Sequence, residues 1–231
     1  MDGYAANSSK GAISITKPIL FCLAIVTVSL SLAGCGVNRK LKVTEVQPNQ
    51  VEIFLDEPAN NQLDLTNMKF KWISQDPPPA AQLTSGEVDL GVAGTLGGGK
   101  FLMIFEDSNY TGDPVAQTFP GQTAGIKVKN GFFPGYGQNP SVSMGVDGKH
   151  YRTYIIFVPV YQDEVNDVVR FGPTPRPDLF GTFNEDRSLS GVKPQGTQSV
   201  SRTFSGSTPV DTDSESDWSS KVNSPAAPTG P

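Results

Sequence analysis

The chain has 231 residues, 18 Lys and Arg against 23 Asp and Glu for a net charge of −5, one His, two Cys, 24 Gly and 19 Pro. Its charged fraction of 18% falls below the roughly 25% usual for soluble domains, and Gly and Pro exceed their usual combined share of about 12%, a composition suited to turns and strands rather than helical bundles. The length allows one ordinary domain or two small ones with a real core, while the acidic balance offers no grip on phosphate backbones and argues against a nucleic-acid partner.

Residues 1–17 are polar, carry Lys10 and Lys17, and lead into an apolar run from Ile19 to Leu30 that closes in Leu32-Ala33-Gly34-Cys35. The run is shorter than the roughly 20 residues a helix needs to span a bilayer, so it reads as a secretory signal peptide over 1–34. Leu-Ala-Gly-Cys in this position resembles the bacterial lipobox. The resemblance implies cleavage before Cys35, a thioether-linked diacylglycerol on its sulfur and an acyl chain on its amine, and each buried methylene adds about 0.8 kcal/mol of membrane affinity. Removal of 1–34 leaves 197 residues with a net charge of −6 and Cys35 as the one cysteine. The folded body then has no disulfide and no thiol nucleophile. Residues 35–41 read as a lipidated tether, and Arg39, Lys40 and Lys42, which follow the anchor closely, either touch anionic headgroups or stay solvated.

Past the tether, short β-branched and aromatic stretches recur between turn clusters. Leu41–Val46 alternates Leu41, Val43 and, weakly, Glu45; Val51, Ile53 and Leu55 share a face; Phe70, Trp72 and Ser74 face away from Lys69, Lys71 and Ile73. Phe101–Phe105 is apolar throughout and suits a strand buried on both faces. Further strands are expected at Gly125–Lys129, Val142–Val146, Tyr154–Val160, Val165–Phe171 and Val200–Phe204, with Pro159 favouring an edge position or a bulge. Stretches near 106–140 and 172–198 read as long loops or insertions. Residues 224–231, rich in Pro, read as a flexible tail.

Three stretches in order resemble the lamin-tail domain family. Val51–Asn67 (VEIFLDEPANNQLDLTN) is similar to its opening strand, polar turn and Asp-Leu-Thr segment, and Gly98-Gly99-Lys100 followed by Phe101–Phe105 to its Gly-Gly turn entering an apolar strand. Asp167–Gly172 (DVVRFG), Val200-Ser201-Arg202 and Asp211–Asn223 (DTDSESDWSSKVN) are similar to its closing pattern. The resemblance implies an all-β, immunoglobulin-like β-sandwich over 42–223, enlarged by long loop insertions. It brings no catalytic residues, and Trp218 has a plain physical role, burying its ring while neighbouring Asp and Ser residues make turn hydrogen bonds.

Chemistry elsewhere is sparse. Gly94–Lys100 matches the first seven positions of a phosphate-binding loop, but Phe101 replaces the required Ser or Thr and a strand follows where a helix should start. Asp211, Asp213, Glu215 and Asp217 alternate and are calcium candidates in an extended segment. With Val222 at the place of the bidentate Glu and no glycine at the sixth position, the run otherwise reads as a solvated turn. His150 sits in a turn and leaves nucleophilic triads without a base other than itself. Phe132, Phe133 and Tyr136 form either an exposed aromatic patch or, more in keeping with their type, a plug against the body.

The expectation is a non-enzymatic lipoprotein without cofactor, held by a lipid anchor outside the cytoplasm of a bacterium, whose loops bind an envelope protein or polysaccharide. Gly36 after the anchor is not the Asp that retains some lipoproteins in an inner membrane, which favours an outer one. The alternatives are a calcium- or carbohydrate-dependent adhesion module and an accessory domain of an exported hydrolase.

Overall fold

The computed structural model describes residues 40–75, 83–119, 124–133, 151–159, 165–171, 198–212 and 215–222. These are all-β: β1 (Leu41–Gln47), β2 (Gln50–Leu55), β3 (Gln62–Asp64), β4 (Lys69–Gln75), β5 (Leu83–Asp89), β6 (Thr95–Gly97), β7 (Phe101–Glu106), β8 (Val115–Thr118), β9 (Ala124–Val128), β10 (Tyr151–Phe157), β11 (Val165–Phe171), β12 (Gln198–Arg202), β13 (Phe204–Ser205), β14 (Thr208–Pro209) and β15 (Trp218–Val222). Two short 3-10 turns, Leu90–Ala93 and Glu215–Asp217, are the helical elements among the described residues.

Seven strands form one sheet in the order β15-β12-β1-β2-β7-β9-β8, and four form a second in the order β11-β10-β4-β5. Pairing is antiparallel except for β7 and β9. One apolar cluster draws on both sheets: Leu41, Val43, Val46, Val51, Ile53, Leu55, Leu102, Ile104, Ile126 and Val200 from the first, Phe70, Trp72, Val88, Tyr154, Ile156, Val169 and Phe171 from the second. Tyr154 stacks on Phe70 at 6.2 Å and meets Phe171 edge-on at 5.7 Å. A second, smaller cluster of Ile73, Ile155, Val165 and Val168 lies on the opposite face of the four-stranded sheet, so Phe70 and Trp72 part from Ile73 as the period of two requires.

β1 departs from simple alternation. Val43 pairs with Ile53 but Glu45 with Glu52, so Thr44 is an extra residue. A bulge of this kind reverses which side chains face inward. Val46 therefore follows Leu41 and Val43 into the core, and Glu45, expected on that face, points the other way and accepts from Gln47 Nε2 at 2.7 Å.

Four further expectations are corrected. Pro159 is neither on an edge strand nor within one: β10 lies between β11 and β4 and ends at Phe157, at a register shift, with Pro159 in the turn beyond. The stretch near 106–140 holds β8 as well as β9. Its loop 131–133 is fastened by the buried Glu106, whose carboxylate accepts from Gly131 N and, at 3.0 Å, from Phe133 N. Val200–Phe204 is not one strand, because Thr203 separates β12 from β13 and its N–H donates to Asp217 O at 2.6 Å. Phe101 and Phe105 are half-buried at the ends of β7, so that strand is covered on both faces only over Leu102–Ile104. The strand expected at Val142–Val146, and the long loop near 172–198 apart from Gln198, lie outside the described residues.

Candidate functional site

The bulge in β1 positions a buried ionic cluster. Among the described residues the β1–β12 ladder pairs only Glu45 with Ser201 and Val46 with Val200. At Val43 the backbone groups turn to side chains instead: the N–H donates to Asp167 Oδ2 at 2.6 Å, and the C=O accepts from Arg202 Nε at 3.0 Å. Asp167 shares its inward-facing register on β11 with Val169 and Phe171, and Arg202 shares its own on β12 with Val200. The two meet at 3.2 Å with side chains 2% and 0% exposed.

Arg202 also donates to Asp211 Oδ1 at 2.6 Å and lies 4.7 Å from the centre of the Trp218 ring. Asp211 is paired in addition with Lys42. Burial raises the Asp167 carboxyl above its ordinary value, against the pull of Arg202. At the half-buried Asp211 burial acts in the same direction, but Arg202 and Lys42 together outweigh it and hold the carboxyl below its ordinary value. Among the described residues two cations, Lys42 and Arg202, face two carboxylates, Asp167 and Asp211, and paired ions of this kind persist in an interior.

The cluster fastens the ends of a hairpin. Thr203 and Val210 are joined by a 2.8 Å backbone bond beside Arg202 and Asp211. Between them β13 and β14 cross the outer face of the seven-stranded sheet, where Phe204 meets Phe54 at 5.7 Å and Phe101 at 6.2 Å. Phe54 and Phe101 are cross-strand partners 4.9 Å apart, on the face opposite Ile53 and Leu55.

A cleft of about 550 Å³ opens beside these rings, bounded by the 56–59 turn, Gly99, and Ser207 and Thr208 of the hairpin. That volume lies within the range of small-molecule sites. Beside it the chain packs backbone on backbone: a Cβ at Gly98 would stand 2.0 Å from Pro58 O, and Gly99 adopts φ +66°. On the rim Glu57 is paired with Lys40 at 2.6 Å; that hydrogen bond first, and one from Asn61 second, hold its carboxyl below the ordinary value. The neighbouring Asp56 carboxylate has no ion-pair or hydrogen-bond partner among the described residues.

The residues singled out from the sequence fall unevenly on this geometry. Cys35, Asp213, His150 and Tyr136 lie outside the described residues, as does the Glu215 side chain. Of the calcium candidates, Asp211 faces Arg202 and Lys42, and Asp217 accepts from Thr212 N at 2.6 Å and Thr212 Oγ1 at 2.8 Å. No group of three or more metal-ligating side chains gathers among the described residues. Trp218 is buried in the core, and Phe133 is buried with Phe132 packed edge-on against it and against Trp72. Gly98 and Gly99 form a turn entering β7 rather than a phosphate loop. Lys40 and Lys42, expected to meet headgroups or solvent beside the anchor, are fastened to the folded body through Glu57 and Asp211, because β1 already starts at Leu41.

Sequence reasoning missed the cleft and the convergence of Asp167, Arg202 and Asp211. The available signal was Phe54 and Phe101, large apolar residues on the outer register of strands whose inner register was already apolar. No helix among the described residues is long and apolar enough to cross a membrane. Comparison with protein-family models, curated proteins and solved structures returned no match.

Proposed function

We propose that the protein is an exported, lipid-anchored lipoprotein of a bacterial envelope, whose body is a lamin-tail-like, immunoglobulin-like β-sandwich that binds or positions a partner without catalysing a reaction. The observation that carries the body's assignment is the meeting of three separate segments. Asp167, Arg202, and Asp211 with Trp218, each part of the resemblance to lamin-tail domains, converge on one buried cluster. Segments far apart in the chain that share one ionic network support a common fold pattern better than any of them alone. Two sheets sharing one core are in keeping with a sandwich.

The anchor rests on the apolar run and Leu32-Ala33-Gly34-Cys35. Only four residues lie between Cys35 and Lys40, where the described body begins. At full extension the five steps from Cys35 to Lys40 reach at most about 18 Å, so an acylated Cys35 holds the body close to the bilayer surface.

The test is fractionation of bacteria expressing the full chain as native and Cys35→Ala proteins. The native protein is expected in the membrane fraction, extracted by detergent and not by salt, with the variant released or retained as an uncleaved precursor. A native protein that is soluble and indistinguishable from the variant overturns the anchor.

A further inference from the structure

We propose that the cleft on the outer face of the seven-stranded sheet takes an organic cation with an apolar body, of the aryl- or alkylammonium class. This deepens the binding role proposed above and rests on that role, but not on the lipid anchor.

The walls set the chemistry. Phe54, Phe101 and Phe204 give an aromatic floor, and phenyl faces attract cations through their quadrupole while accepting apolar bodies. The charged group left for a ligand is the carboxylate of Asp56, which none of the described residues engages. Next to it, Glu57 already holds the ammonium of Lys40 at 2.6 Å, so the rim displays within the protein the pairing it offers a ligand. Ser207 and Thr208 add hydroxyls that accept from an N–H. A neutral ligand would leave Asp56 unanswered in a partly desolvated wall, an anion would be repelled by it, and a bare inorganic cation would not use the rings. The chain's net charge of −5 favours the approach of a cation as well.

The site is also held in shape before a ligand arrives. Phe204 and Ser207 belong to the hairpin whose ends are fastened by Arg202 and Asp211, and the facing turn abuts Gly98. A cleft with preset walls loses less on binding than one that must order itself.

The probes are phenethylammonium, 2-phenylethanol and phenylacetate, which are similar in size and differ in charge. Each is titrated by NMR or calorimetry into the exported full chain, in native and Cys35→Ala forms. Phenethylammonium is expected to bind, roughly tenfold tighter than the alcohol, the scale of one charge-assisted contact, with phenylacetate weakest and binding weakened by salt.

Asp56→Asn is expected to bring the ammonium down to the level of the alcohol. Ser207→Trp, which fills the cleft from an exposed position without touching the core, is expected to abolish binding of both with little change in melting temperature. Equal binding of the three probes, no binding of phenethylammonium at millimolar concentration, or binding unaffected by Asp56→Asn or Ser207→Trp overturns the proposal. Because membrane association is read separately, loss of the anchor with ammonium binding intact refutes only the anchor, and the converse refutes only the ligand class.

Discussion

Replacing Arg202 with Met should cost more stability than any other single change in the ionic cluster. The side chain is 0% exposed and serves Asp167 at 3.2 Å, Asp211 at 2.6 Å and the Val43 carbonyl at 3.0 Å. Met fills a similar volume but leaves the Asp167 carboxylate, itself 2% exposed, without its cation. Breaking a buried pair from one side costs about 3–5 kcal/mol, mostly the penalty of the charge left behind. The orphaned Val43 carbonyl adds about 1 kcal/mol or more. For a domain of this size 1 kcal/mol moves the melting temperature by about 2–4 °C, so a fall on the order of 10–15 °C is expected by calorimetry.

The double variant Arg202→Met with Asp167→Asn removes both charges and should lose less than the two single changes added together, by roughly 2 kcal/mol. A single-variant shift below about 3 °C, or strict additivity in the cycle, would refute the claim that this pair is mutually dependent.

Other consequences follow from the same contacts. Asp211 titrates below its ordinary value in the folded state, so its contribution is present above the unfolded pKa near 3.8 and is lost as pH falls through the folded one; acid melts of Asp211→Asn should show a shallower decline than the native protein, and parallel curves would contradict this. Glu106→Ala should speed hydrogen exchange at Gly131 and Phe133, whose amides it accepts, at a cost of about 1–3 kcal/mol, whereas unchanged exchange would remove its role as the fastener of that loop. Gly98→Ala should destabilise by about 2 kcal/mol or more, since its Cβ would stand 2.0 Å from a backbone oxygen that cannot rotate away, and a neutral effect in denaturant melts would refute the close approach.

Strands with one apolar register were legible from their residues, because burial imposes the period of two. Val51, Ile53 and Leu55, and Phe70 with Trp72, stand in the core as that period requires. Strands that bury little left no such trace. β5 hides only Val88, and β8 lies on the sheet edge with Val115 38% exposed. The bulge at Thr44 was equally silent, since its only sequence mark is Glu45 standing where an apolar residue would continue the alternation. Lys42 looked like a solvated tether charge because its partner, Asp211, lies 169 residues away. For the same reason Asp167 and Arg202 could be noticed as parts of a resemblance but not as neighbours. Their meeting depends on strand order, which local pattern does not encode.

The most direct test of the central claim is the mass of the N-terminal residue of the protein isolated from membranes of the expressing cells. The expected species is a chain beginning at Cys35 and carrying a diacylglyceryl group on its sulfur, missing from Cys35→Ala. A chain beginning elsewhere, or an unmodified Cys35 in a protein recovered from the soluble export, would contradict it.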